Sequence, residues 1–65
     1  METFDAIADD ISSIERRVSD LIFDAVRTQL RGDGAEAAKE LERRLAKVRR
    51  SLQKAETLLR GAPED

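Results

Sequence analysis

The apolar residues Phe4, Ile7, Ile11, Ile14, Val18, Leu21 and Ala25 follow one another at alternating steps of three and four. That spacing lays side chains along one stripe of an α-helix, the a/d pattern of a coiled-coil seam. No glycine or proline interrupts the run before Gly32. The pattern therefore predicts a first helix over about 4–30, roughly 40 Å long at about 1.5 Å per residue. A second stripe, Ala38, Leu41, Leu45, Val48, Leu52, Ala55 and Leu59, predicts a second helix over about 35–60, ended by Gly61 and Pro63 and followed by a fraying tail, 61–65. Ile and Val favour strands in isolation, but here their period is helical.

The predicted ends carry their own signals. Thr3 has the chemistry of an N-cap, and Asp5, Asp9 and Asp10 place negative charge toward the positive end of the first helix. Gly32 stands where a left-handed residue closes a helix, and Asp33 followed three residues later by Glu36 reads as a capping box for the second helix. The turn is thus assigned to 31–34. Arg31-Gly32-Asp33 matches an adhesion tripeptide by its letters, but a helix stop and a helix start account for the same residues.

In an antiparallel hairpin turning at Asp33, the numbers of facing residues add to about 66. The stripes obey this along their length: Phe4 with Ala62, Ile7 with Leu59, Ile11 with Ala55, Ile14 with Leu52, Val18 with Val48, Leu21 with Leu45 and Ala25 with Leu41. Only Thr28, opposite Ala38, breaks the apolar match. The expected fold is all-α, an antiparallel helical hairpin in a single domain. A continuous helix through the turn, or a domain-swapped pair, is the competing geometry. It is disfavoured because each of the two glycines flanking Asp33 costs about 1 kcal/mol inside a helix.

Composition narrows the chemistry. A chain of 65 residues rarely derives more than a few kcal/mol from its own core. With no cysteine and no histidine, disulfide and zinc staples are excluded and the usual general base is missing. Ser12, Ser13, Ser19 and Ser51 have nothing to activate them. Gly32 and Gly34 lack the spacing of a phosphate loop. The pairs Asp5/Asp9 and Asp20/Asp24 stand four apart on a helix, but read as a solvated acidic surface and not as a metal site. The expectation is a protein that is not an enzyme and has no catalytic, cofactor or metal residues. The start of the chain has neither a basic n-region nor an apolar run, so a cytoplasmic location with no membrane span is expected.

The missing stability points to self-association, first as a homodimer in which two hairpins form a four-helix bundle. Apolar residues outside the stripes are candidates for that interface or for a larger protein partner: Ile22, Phe23, Val26 and Leu30 near the turn, with Ala8 and Leu58 toward the open end. This is the signature of an adaptor, regulatory or accessory subunit. The alternative is an anion-binding module. Lys39, Arg43, Lys47, Arg50 and Lys54 share one helical face, and the 66 rule sets Arg16 and Arg17 against Arg50 and Arg49, so a belt of arginines would grip a nucleotide or a nucleic-acid backbone, with Arg43, Lys47 and Lys54 extending it. A net charge of -2 and the absence of Trp and Tyr weigh against that alternative. Acidic residues of a second subunit, such as Asp20 and Asp24, answer the same basic stripe without any ligand.

Overall fold

The computed structural model describes residues 2–61. Two helices, α1 (Phe4–Arg31) and α2 (Ala35–Leu59), pack against one another as a hairpin. The expected pair of Phe4 with Ala62, and the tail beyond Gly61, lie outside the described residues.

The start of α1 is capped. Thr3 is extended, with φ -111° and ψ 162°, and its Oγ1 accepts the Ala6 N–H at 3.0 Å. The loop works through backbone conformation alone. Gly32 takes φ +90° and its N–H donates to the Gln29 carbonyl at 3.2 Å, while Gly34 is left-handed at φ +68° and ψ 22°. These are angles that side chains with a Cβ resist. Gly34, not Asp33, occupies the N-cap of α2, and no side chain caps that end. The capping box expected from Asp33 and Glu36 is therefore absent; with the left-handed step at Gly34, the chain enters α2 one residue later than that box requires.

Which residues form the seam also differs from the expected pairing. The hydrogen bonds that cross between the helices join Gln29 to Glu42, Ser19 to Arg49 and Asp9 to Arg60. In every case the numbers add to more than 66, so these flanking polar contacts do not follow the expected pairing. Only Ala8, Val18, Ala25 and Ala38 are buried, and no large side chain is fully enclosed among the described residues. Small side chains let two helices approach closely, and alanine occupies three of these four positions. Of the larger residues expected in the seam, Val18 is buried and Ile7, Ile11, Leu45, Leu52 and Leu59 are half-buried, while four stand at its flank. Ile14 keeps 42% of its surface, Leu21 51%, Leu41 47% and Val48 41%. Thr28 is half-buried, and its hydroxyl is satisfied by donating to the Asp24 carbonyl of its own helix at 3.0 Å.

The molecule measures 47 × 26 × 12 Å. Its thinnest dimension is about one helix diameter, so both broad faces of the hairpin meet solvent.

Two caps give opposite expectations. Thr3→Ala should lower stability by about 1 kcal/mol, because a backbone N–H loses its acceptor. Asp33→Ala should change it by less than about 0.5 kcal/mol, because no cap bond is lost. Denaturant midpoints of the two variants test this, and equal losses would restore Asp33 as a cap.

Candidate functional site

The hairpin has two unlike faces, set by the offset seam. Ile14 and Leu21 stand seven apart on α1, and Leu41 and Val48 seven apart on α2, so each pair shares a stripe. The two stripes lie on the same broad face: Leu21 and Leu41 border one groove whose floor includes Ala25, Ala38 and Gly34. Further along, Val48 and Leu52 are bordered by Arg44, Lys47 and Ser51. This apolar face runs much of the length of the hairpin.

The opposite face is polar. Half-buried Glu15, Ser19, Gln29, Glu42, Arg49 and Glu56 lie along it. Gln29 Nε2 donates to Glu42 Oε1 at 2.6 Å and Arg49 Nη1 to Ser19 Oγ at 3.5 Å. Arg60 closes the open end, bonding Asp9 Oδ1 at 2.9 Å through Nη2 and Glu56 Oε2 at 3.0 Å through Nε. Two atoms on this face, Glu15 Oε2 and Arg49 Nε, are enclosed without a hydrogen-bond partner. Polar residues hold this side together less completely than a packed core would.

The sequence-predicted interface residues separate. Phe23 keeps 68% of its surface, Leu30 83% and Val26 36%. Phe23 comes two residues after Leu21, about 200° around the helix, so this patch lies on the far flank of α1 and is not continuous with the apolar face. Ile22 does not join the patch as an exposed residue; it is half-buried, turned toward the seam with Glu15 and Gln29. Ala8 is completely buried, so the expected Ala8–Leu58 surface patch does not exist, although Leu58 is half exposed. The Ala8 side chain is small enough to sit where the helices are closest. The apolar face formed by Ile14, Leu21, Leu41 and Val48 was hidden from sequence reasoning because those four residues were assigned to the seam.

The arginines are likewise dispersed. Arg43, Arg44, Lys47 and Arg50 border one depression on α2 beside Glu40. Arg16 lies on α1 and donates to Ser13 of its own helix at 3.5 Å; Arg17 is exposed on the same helix. Arg49 turns into the seam toward Ser19 instead of joining a belt with Arg17. Lys54 is exposed on α2. Among the described residues, no group of three or more carboxylates is placed to hold a metal ion, and no helix is long and apolar enough to cross a membrane.

Glu15 and Glu56 titrate together. Glu15 is raised above the ordinary carboxylate range, first by its side-chain interaction with Glu56 and then by burial and the Glu56 charge. The same interaction lowers Glu56, assisted by Arg60. The Glu15 contribution is present below its unfolded pKa and is lost as pH rises through the raised folded value. The Glu56 contribution is present above its unfolded pKa and is lost as pH falls through the lowered folded value. Stability from the pair therefore peaks between the lowered Glu56 value and the raised Glu15 value. Glu15→Gln supplies a permanent N–H donor, so it should raise the urea midpoint at pH 7 and remove the wild-type gain on moving toward pH 5. Superimposable midpoint-versus-pH curves for the two proteins would contradict the raised Glu15 pKa.

Compared with family models, curated proteins and solved structures, the chain matches none of them.

Proposed function

We propose that this chain is a non-enzymatic protein–protein interaction module: two copies associate through the apolar face into a four-helix bundle, and the Phe23 patch engages a larger partner as an adaptor, regulatory or accessory subunit would. The observation that carries this reading is the set of large apolar residues left exposed, Ile14, Leu21, Leu41 and Val48 on the broad face and Phe23 and Leu30 on the flank, together with an excess of total accessible surface. The accessible area is 5205 Å², against about 4,200 Å² for a compact monomer of this mass. The difference, about 1,000 Å², is near the roughly 800 Å² that each partner buries in a standard interface. The radius of gyration is 14.6 Å, where a compact domain of this length has about 11 Å and one twice as long about 14 Å. A pair of hairpins joined face to face has the proportions of a globular domain; a single hairpin does not.

The two apolar surfaces divide the work. Leu21→Asp places a charge on the broad face and should reduce the mass measured by light scattering from two chains to one. Phe23→Asp should leave the two-chain mass intact and abolish capture of a different protein. A folded wild-type monomer at micromolar concentration would remove the homodimer, and a Phe23→Asp monomer would move the self-association surface to the far flank of α1.

A second reading is favoured by one observation, the shared depression bordered by Arg43, Arg44, Lys47 and Arg50. An anion held there gives binding to a polyanion such as heparin that weakens steeply with salt. It should disappear in the Arg43→Ala/Lys47→Ala/Arg50→Ala variant, and its persistence there would exclude this surface.

A further inference from the structure

We propose that the second copy of this chain covers the apolar face with its turn at the same end as the first, so that α1 of each copy lies along α2 of the other. The inference rests on the homodimer reading and adds the arrangement, which the hydrophobic pattern leaves open because two apolar faces attract in either direction.

Charge along the edges of the face selects the direction. α1 contains six acidic and four basic residues, α2 four acidic and seven basic. Asp20 and Asp24 lie on the outer side of α1 and border a common depression with Phe23 and Arg27; Asp24 also borders the apolar groove. Arg44 and Lys47 border the corresponding edge of α2 beside Val48. Asp24 is paired with Arg27 in its own helix, whereas Asp20, Arg44 and Lys47 make no ion pair among the described residues.

The cross-helix bonds fix the levels. Ser19 meets Arg49 and Gln29 meets Glu42, so Asp24, midway between the two α1 positions, is level with Arg44 to Lys47. A two-fold axis parallel to the helices preserves level while it lays α1 on α2 of the other copy. Asp24 and Asp20 then run beside Arg44 and Lys47. Each contact occurs twice.

The opposite arrangement, with turns at opposite ends, lays each helix on its own counterpart. With its axis near the middle of the hairpin, it brings the two Arg17 residues or the two Lys47 residues of the copies toward one another. Like charges at close range oppose association, whereas the first arrangement places Asp20 and Asp24 beside Arg44 and Lys47 at both edges. Individual exposed pairs contribute little, but they need only discriminate between two arrangements that bury the same apolar surface.

The chain has no cysteine, so Asp33→Cys places a single spin label at the exposed turn. Dipolar spectroscopy on the labelled dimer should give a separation of roughly 10–30 Å, one interhelical spacing plus the label arms. A separation near the 47 Å long axis would overturn the arrangement while leaving the dimer in place. A monomeric mass for the unlabelled chain would overturn both. The dissociation constant supplies an independent arm: Asp24→Arg and Arg44→Asp should each weaken the dimer about five- to tenfold, and the double swap should return to within about threefold of wild type. Losses that multiply in the double variant would rule out the proposed contact.

Discussion

Two helices lying side by side can bury one stripe each, and everything distinctive in this chain follows from which stripe that is. The seam closes on Ala8, Val18, Ala25 and Ala38, where short side chains permit close approach. A narrow seam of small residues buries little area, so the hairpin draws only a modest hydrophobic gain from its own contact. Ile14, Leu21, Leu41 and Val48 sit on the shoulder of the seam, where the hairpin covers them only in part.

This arrangement explains the division between the faces. One shoulder holds Ile14, Leu21, Leu41 and Val48; the other holds cross-helix polar contacts between Gln29 and Glu42 and between Ser19 and Arg49. Hydrogen bonds on the solvent side fix the relative height of the two helices, since a slide of one residue breaks them. That fixed height is what gives the edge charges a definite level and makes an orientation argument possible. Polar groups on one side thus join the two helices, while apolar groups on the other remain exposed.

The hairpin itself was legible in the sequence. Two runs at helical spacing, separated by a segment with two glycines, leave few other ways to bury both stripes, and Gly32 and Gly34 take the positive φ values that the turn requires. The rotation of each helix about its axis was not legible. A 3.5-residue pattern drifts around a straight helix by about 20° per heptad, and an a/d stripe that rightly includes Val18 and Ala25 does not reveal that Ala8 is buried while Ile14 and Leu21 stay half exposed. That single rotation accounts for the misplaced residues: Ala8 and Ile22 turn inward, Ile14 and Leu21 turn outward, and Arg49 enters the seam instead of facing Arg17. The role assigned to Asp33 failed for a separate, local reason, because the left-handed Gly34 takes over the position from which a side chain would cap.

The account stands on the claim that this hairpin is half of a folding unit and that a second copy completes it. The midpoint of thermal unfolding, followed by circular dichroism over a hundredfold range of protein concentration, tests that claim most directly, since a dimer coupled to folding is stabilised by mass action. The account predicts that Tm rises steadily with concentration; a sharp, reversible transition at a Tm independent of concentration would contradict it.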